Sequence, residues 1–550
     1  MNFIKQSLKG LVAVIVYGTI VWVMIRYDSN IISIFSLPEW LFDLMKYTII
    51  LAFPIIVFTS FTSARTARRI SREIRDAESR EALNKPLDKS LAILPLENYS
   101  TDGDLEYFTQ GLAEDLINSL SRIKDLNVVS RNSTIGFKKV LDIHDIVQKV
   151  SLKNVLEGNI TRDHDRVKLA VQLKNLTDKE VIWSEVYHNA INDIFAVQHS
   201  VVKNVIEKLN VELDENEKEL FSQPTRESAE AYDSFLKGRH HFNQREEGLM
   251  TGAEHYREAI AIDETHGRAH AGLSCCYNLM GFYDFRAPHE VYPRAKTAAL
   301  KAIEIDPNIA EAHTSLAFTH MLYEWDWEKA EIEFLKGLEL NPGFALTHHW
   351  YAEYLMAMGR FDEANKQVRK AQKNDPLGLI ISTLIGMNFY LRRQYDESIA
   401  ECLKTLHMDE DFLPVYIWLG VAYEQKEMYT EAIDILQKGR KLSNERAKIT
   451  SLLAHTYALA GERGEAETLL QELISKADQS YVSSFDIARI YKGLGDKKRT
   501  YEWLNKALDE RAAWLVWLNV NPSFDELRDD MEFKELLKNI NLTNPVKRSS

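Results

Sequence analysis

The sequence has little of what disulfides and structural metal sites require. Its 550 residues include three cysteines, which are Cys275, Cys276 and Cys402. The first two are adjacent, so their side chains diverge on a helix, and the sequence has no Cys-x-x-Cys motif. We therefore expect neither a disulfide framework nor a zinc site. The cysteines are interpreted as small core residues of a protein in a reducing compartment.

Motifs for phosphate binding and catalysis are missing from the sequence as well. It has no P-loop, no dinucleotide-binding glycine motif, no nucleophile elbow and no His-Glu-x-x-His zinc motif. The pairs His240-His241 and His348-His349 are adjacent, so they lack the four-residue spacing that places two ligands on one helix face. We expect no catalytic residue, no metal and no cofactor, and hence a protein that is not an enzyme.

Positive charge is scarce outside the amino-terminal part. The chain has 67 Lys and Arg against 81 Asp and Glu, a net charge of -14. Residues 1–84 carry a net +3, which leaves -17 for the remainder. Nucleic-acid binding requires clustered Lys and Arg that displace counterions. We therefore expect no nucleic-acid partner.

Two uncharged apolar runs, residues 10–25 and 47–64, lie near the amino terminus. At 1.5 Å per residue each is about the length of a short membrane-spanning helix. A secretory signal is the alternative for the first run, but no small-x-small cleavage site follows Arg26. The runs predict two transmembrane helices within residues 1–64. Flanking basic residues then predict a multi-pass membrane protein with its other domains in the cytoplasm.

A basic segment, residues 65–89, follows the second run. Its cluster is interpreted as a surface for anionic membrane lipids and consists of Arg65, Arg68, Arg69, Arg72 and Arg75. The alternative is a solvated helix face in which these arginines pair with the neighbouring acidic residues. The sequence leaves both interpretations open.

A different periodicity begins at Ser90. Short apolar strands and amphipathic helices alternate, and three strands with turns between them then end in a helix near Leu209. The order predicts a compact α/β domain over residues 90–212. Glu114 and Asp115 precede an apolar run of one helix and are interpreted as solvated charges.

A period of 34 residues governs the second half of the chain. Small residues recur in two series, which are Ala330, Ala364, Ser398, Ala432, Ala466, Thr500 and Ala352, Gly386, Gly420, Ala454, Ala488. Two such series indicate two closely packed helices per repeat, and this is the tetratricopeptide period. Gly359, Gly461 and Gly495 are predicted to end first helices in the left-handed conformation. We expect about eight repeats over residues 226–511, followed by a cap and tail over 512–550.

Several sequence segments resemble the TolB amino-terminal-like domain that precedes tetratricopeptide repeats in bacterial proteins. They include "LAILPLENYS", "EYFTQGLAEDLINSLSRI" and "NVLEGNITRDHDRVKLAVQL", and "LPEWLFDLMKYTIILAFPIIVFTSF" resembles a two-helix membrane module of such proteins. Relatives often carry a class III nucleotide cyclase or a winged-helix domain ahead of this arrangement. Here we expect neither, because residues 1–89 are assigned to membrane and linker. The expected fold is multidomain: a transmembrane hairpin, a small α/β domain and an all-α superhelical solenoid.

Function is predicted to reside in the concave face of the repeats. Residues four and seven apart on the first helix of a repeat share one face. In three repeats these are His349, Glu353, Met356, Thr383, Met387, Tyr390, Ile417, Val421 and Glu424. The mixture suits a protein or peptide partner, provided that neither the chain itself nor the neighbouring domain fills the groove. Together with what the resemblance implies, the hypothesis is a scaffold anchored in the bacterial inner membrane. The alternative is a ligand-responsive signalling subunit whose TolB-like domain binds a small molecule or nucleotide. A remnant of a cyclase-type receptor is a third interpretation.

Overall fold

The computed structural model describes residues 89–100, 105–134, 152–163, 166–222, 228–244 and 248–542. They belong to one compact unit, Pro86–Ser550. This part of the chain is mostly helical with one small mixed sheet.

Six strands form the sheet. They are β1 (Ser90–Ile93), β2 (Glu97–Asn98), β3 (Asn127–Val128), β4 (Asn154–Asp163), β5 (Arg166–Asn175) and β6 (Val181–Ala190). The order is β3-β1-β4-β5-β6, with β2 also beside β4. Strand β1 runs parallel to β3 and β4, whereas β4, β5 and β6 form an antiparallel meander in which Gly158 lies opposite Val171. Short turns allow the meander, and the parallel pairs require the helical crossover.

Three helices accompany the sheet: α1 (Glu106–Leu120), α2 (Ile194–Lys208) and α3 (Glu215–Leu220). Alternation in β5 buries Val167, Leu169, Val171 and Leu173 in the core that the helices share, as period-2 patterning requires. These elements lie between Ser90 and Leu220, in the region where the sequence predicts a compact α/β domain over residues 90–212.

The described residues then form eight antiparallel helix pairs. They are α4 (Ala229–Asn243) with α5 (Leu249–Ile262), α6 (Gly267–Phe282) with α7 (Pro288–Ile305), α8 (Ala310–Thr319) with α9 (Trp327–Leu340), α10 (Ala345–Ala357) with α11 (Phe361–Asn374), α12 (Leu379–Leu391) with α13 (Tyr395–Met408), α14 (Leu413–Gln425) with α15 (Tyr429–Leu442), α16 (Ala447–Leu459) with α17 (Arg463–Lys476), and α18 (Ser484–Gly493) with α19 (Lys497–Asp509). We number the pairs as repeats 1 to 8. Each packs on the next, so the core runs continuously along the array.

A left-handed residue separates the two helices of repeats 2 to 8. Gly359, Gly461 and Gly495 have φ angles of 72°, 85° and 75°, which confirms the predicted turns. The equivalent places in the other four repeats are occupied by Asp284, Trp325, Arg393 and Glu427, with φ between 55° and 63°. The turn geometry therefore persists where glycine does not mark it, because the packing of each pair imposes it.

The repeat of α8 and α9 contains one extra residue. A π-helical turn at His320–Glu324 absorbs it, and Trp325 follows in the left-handed conformation. Trp325 and Trp327 are both buried. The insertion thus changes the local turn and leaves the stacking of the neighbouring repeats intact.

Small residues are required where the two helices of a repeat cross. A Cβ atom added to Gly386 would lie 2.7 Å from the Cys402 Sγ atom on the partner helix. We expect Gly386→Ala to lower the free energy of unfolding by about 1–3 kcal/mol, measured by urea denaturation. Gly464→Ala is the control, because no atom lies within 4 Å of the added Cβ. It should stabilise by up to about 0.5 kcal/mol, and equal effects of the two changes would contradict the packing argument.

The chain after α19 forms two 3-10 turns, Ala513–Trp517 and Pro522–Leu527, and the helix α20 (Met531–Asn539). We call residues 512–542 the C-terminal segment. Its apolar side chains, including Trp517, Phe524 and Phe533, are buried. The segment therefore belongs to the core of the array.

The prediction of a transmembrane hairpin is corrected by the structure. Within the described ranges, no helix combines the length and apolar character needed to cross a bilayer. The longest of them, α7, has 18 residues and carries Glu290, Arg294, Lys296, Lys301 and Glu304. The runs at 10–25 and 47–64 lie outside the described residues. The fold class is that of a helical repeat protein with a small mixed sheet, and the predicted multi-pass inner-membrane localisation is not supported.

Candidate binding groove

The first helices of successive repeats face a common groove, and the C-terminal segment occupies part of it. Trp514 lies between Phe282 of α6 and Trp418 of α14, with ring centroids 6.1 Å and 5.8 Å away. Its indole N–H donates to the Phe282 carbonyl oxygen at 3.4 Å. Repeats 2 and 6 therefore meet through one side chain of the C-terminal segment.

Further contacts fasten this segment along the groove. The Tyr390 hydroxyl lies 3.0 Å from Ser523 Oγ, and Arg393 forms a bidentate pair with Asp525 at 2.9 and 2.7 Å. On α9, the Trp327 indole N–H donates to the Ile540 carbonyl oxygen at 2.9 Å. The C-terminal segment therefore fills part of the groove, which the sequence left open.

Part of the groove stays open as a pocket against Trp514, which we call the Trp514 pocket. Its space, counted together with the open solvent at its mouth, is about 750 Å³. Five of the nine predicted groove residues line it, namely His349, Glu353, Thr383, Met387 and Ile417. The rest of its wall is largely apolar and comprises Phe282, Tyr283, Ile380, Leu384, Leu413, Pro414, Trp418, Arg446, Lys448, Ile449, Trp514 and Trp517. The structure thus brings one face of α10, α12 and α14 together around a single cavity.

The other four predicted groove residues lie elsewhere. Met356 and Val421 are buried among apolar side chains, and Tyr390 contacts the C-terminal segment. Glu424 is buried and accepts hydrogen bonds from His455 Nδ1 at 2.9 Å and from the Thr456 hydroxyl at 3.1 Å. These four side chains therefore serve contacts within the array.

A second pocket adjoins the first, and its space, counted together with open solvent, is about 1450 Å³. We call it the α1 pocket, because one wall is formed by α1 and the chain that follows it, and the other by repeats 1 to 5. The two pockets share the side chains of Phe282, Tyr283, His349, Glu353 and Ile380. The neighbouring α/β region therefore covers part of the groove, as the sequence left open.

Glu353 lies where the two pockets meet. Its residue is 7% exposed, and its Oε1 atom is 3.3 Å from His349 Nε2. Within the described residues its Oε2 atom has no hydrogen-bond partner. A buried carboxylate oxygen without a partner is costly and calls for an explanation.

Asp115 attaches the α/β region to the repeats. It is buried and binds Arg239 of α4, Arg268 of α6 at 3.0 Å and the Tyr232 hydroxyl at 2.7 Å. Burial opposes ionisation of this carboxyl, but Arg268 and Arg239 outweigh it and lower its pKa to about 2. The interpretation of Asp115 as a solvated charge is therefore wrong.

A second charge cluster joins distant repeats. Lys448 Nζ of repeat 7 lies 2.9 Å from Asp284 Oδ2 of repeat 2 and 3.0 Å from Asp486 Oδ1 of repeat 8. The same ammonium is 4.6 Å from the centre of a Trp514 ring. No sequence pattern predicts this cluster. The nearest local signal is the pair Trp514 and Trp517, spaced three apart after the last repeat helix.

The described ranges contain no group of three or more His, Cys, Asp or Glu placed to hold a metal ion. Both ring nitrogens of His348, for example, are already engaged within the chain. They lie 2.7 Å from Gln367 Oε1 and 2.8 Å from the Pro342 carbonyl oxygen. The basic cluster proposed for lipids, Arg65 to Arg75, lies outside the described residues. The predicted lipid contact therefore has no structural support here.

Stacked helix pairs of this period, with a groove along their first helices, define a tetratricopeptide repeat protein. A tetratricopeptide repeat family model matches residues 413–445, which confirms that class. Residues 87–204 match a family described as "HilA/YgeH-like transcriptional regulator, second domain". The more specific TolB-like assignment of this region stays a prediction.

Two curated proteins are similar to parts of the chain. One is "Putative adenylate cyclase 3" of Rhizobium meliloti (strain 1021), 31% identical over 241 residues, which are 42% of this chain and 40% of that protein. The other is human "Protein O-mannosyl-transferase TMTC3", 27% identical over 148 residues, 26% of this chain and 16% of that protein. The chain therefore spans well under two thirds of either relative.

Solved helical-repeat structures are also similar to it. Human IFIT1, solved as a dimer with PPP-AAAA, has a TM-score of 0.43 at 13% identity, covering 64% of this chain and 83% of that one. PilF of Pseudomonas aeruginosa has a TM-score of 0.30 at 18% identity, covering 41% and 97%.

Proposed function

We propose that this protein is a tetratricopeptide adaptor that binds a peptide segment of a partner protein in the Trp514 pocket. The observation that carries the proposal is the position of five predicted groove residues around one largely apolar cavity. A concave, mostly apolar pocket with a few convergent polar groups is the usual form of a binding site. The methionine and aromatic side chains in its wall suit an adaptable apolar peptide.

The adaptor would act by binding alone. The absence of catalytic motifs from the sequence supports this, and the tetratricopeptide class is generally used for protein recognition. Similarity of part of the chain to a protein described as an adenylate cyclase suggests a place for the adaptor in signalling. Cyclase activity in a purified sample would contradict the non-enzymatic proposal.

Ile417 provides a test, because it lines the pocket and is only partly buried. Peptides would first be selected from a random displayed library for binding to the full chain. Their affinity for the Ile417→Glu variant should be lower by about tenfold or more, because the substitution places a charge in the apolar wall. Leu335→Glu is the matched control, because Leu335 is 50% exposed and does not line the pocket. Calorimetry with the selected peptides measures both. Equal binding to the two variants would place the peptide site elsewhere.

A further inference from the structure

The Glu353 carboxylate oxygen without a hydrogen-bond partner indicates which charge a ligand of the pocket should carry. The carboxylate is more than nine-tenths buried, lines both pockets and uses one oxygen on His349. The other oxygen has no partner in the described chain. A hydrogen bond from a charged donor is the strongest that such an oxygen can accept. The site is therefore complementary to a donor that carries positive charge.

The other charges around the Trp514 pocket do not neutralise Glu353. Lys448 is held between Asp284 and Asp486, and Arg446 stacks over the Phe285 ring at 4.7 Å. Asp486 also lies 3.8 Å from Arg489. Lys448 and Arg446 are thus engaged by groups other than Glu353, and an anionic ligand beside Glu353 would meet its carboxylate in a poorly solvated cavity, where electrostatic repulsion is strong.

The walls on either side of Glu353 suit an ammonium group on an apolar chain. Aromatic rings, which attract cations over their faces, are provided by Phe282, Tyr283 and Trp514. Aliphatic side chains such as Ile380 and Ile417 form the rest of the wall. A lysine side chain combines a flexible apolar stem with three donors at its end.

We propose that the pocket binds a partner peptide in which a lysine is flanked by apolar residues, with the lysine ammonium paired with the Glu353 carboxylate. This proposal rests on the proposed function and specifies the chemistry of its partner. The apolar neighbours of the lysine fill the Trp514 pocket. The ammonium lies at the junction with the α1 pocket.

Three small probes of one chain length test the charge preference. Calorimetry on the full chain would compare hexylammonium, hexanol and hexanoate. We expect hexylammonium to bind about tenfold or more tightly than hexanol, because a charged hydrogen bond contributes about 1.5–3 kcal/mol, and hexanoate to bind most weakly. Equal affinities, or tighter binding of hexanoate, would overturn the proposal.

Two variants test whether Glu353 is responsible for the preference for hexylammonium. Glu353→Gln keeps the shape and should reduce the preference for hexylammonium to about threefold or less. Glu353→Asp keeps the negative charge on a shorter side chain and should retain part of the preference, so the result does not depend on how Glu353→Gln folds. Glu467→Gln, on the outer surface of α17, is the control that should behave as the unchanged protein. Full retention of the preference in Glu353→Gln, with circular dichroism unchanged, would show that Glu353 is not the acceptor.

Peptides separate this inference from the proposed function. The probes are acetyl-Leu-Leu-Lys-Leu-Leu-amide and the same peptide with norleucine in place of lysine. Tighter binding of the lysine peptide, lost in Glu353→Gln, supports the proposal. Equal binding of both peptides overturns it and leaves apolar groove binding intact. Binding of hexylammonium with neither peptide bound overturns the peptide source and the proposed function together.

Discussion

Replacing Lys448 with methionine is expected to lower the free energy of unfolding by about 3–5 kcal/mol. Lys448 is held between two buried aspartates, Asp284 and Asp486, whose side chains are 5% and 0% exposed. Removing the cation leaves both carboxylates without their main counter-charge in a poorly solvated site. Tryptophan fluorescence during urea denaturation measures the loss. The control Lys497→Met should cost less than about 1 kcal/mol, because Lys497 is 59% exposed in its pair with Asp530.

The pH dependence of this loss has a defined sign. Burial raises the pKa of Asp284; Lys448 opposes the rise and Asp486 adds to it, and the result is about 6 against an ordinary value of 3.8. The folded state therefore binds more protons than the unfolded state between these values. The contribution of Asp284 to stability is present below pH 3.8 and is lost as pH rises through about 6. Without Lys448 its pKa rises further, so the deficit of Lys448→Met should shrink as the pH falls.

A second substitution tests whether the unpaired carboxylates cause the loss of stability in Lys448→Met. Adding Asp284→Asn to Lys448→Met removes one of the two uncompensated charges and should recover a large part of the lost stability. An additive loss instead of a recovery would show that the carboxylates do not cause the effect. Hydrogen exchange should also increase in both repeat 2 and repeat 7, because this cluster joins them directly. In an array held only by nearest neighbours, repeat 2 would not change.

The repeats were predictable because their structure is local. Each helix pair packs on its sequence neighbours, so the spacing of Ala352, Gly386 and Gly420 reports contacts within a short stretch of chain. The same period identified the face that carries His349, Glu353 and Thr383. The left-handed turns were predicted only at glycines, because residues such as Arg393 and Glu427 do not mark that conformation in the sequence.

The closure of the groove was not predictable, because it depends on residues far apart in the chain. Trp514 meets Phe282 and Trp418 only after the repeats have curved, and no short-range pattern reports that curvature. The interpretation of Asp115 as a solvated charge was wrong for the same reason. Its partner Arg239 is 124 residues away in the chain, and the helix pattern alone does not show that contact. Periodicity predicted Tyr390 in the groove, but its hydroxyl contacts Ser523 of the C-terminal segment.

Replacing Asp115 tests the attachment of the α/β region to the repeats. Asp115→Ala leaves Arg239 and Arg268 facing each other without their carboxylate, and should cost about 3–5 kcal/mol. Asp115→Asn keeps the shape and loses the charge. Its cost should be about 2 kcal/mol, which corresponds to the lowering of the pKa from 3.8 to about 2. Glu106→Gln, at the exposed start of the same helix, is the control and should cost less than about 1 kcal/mol.

Acid titration distinguishes this attachment from general destabilisation. The folded-state pKa of Asp115 is lowered, so its contribution is present above pH 3.8 and is lost as pH falls through about 2. The difference between the unchanged protein and Asp115→Asn should therefore be constant near neutral pH and disappear in strong acid.

Hydrogen exchange should increase in α1 and α4 but not in α18 and α19, which lie at the other end of the array. Because α1 also forms a wall of the α1 pocket, loosening it should widen access to Glu353, and hexylammonium should then bind faster. Uniform exchange along all the repeats would mean that Asp115 supports the whole array and not this attachment.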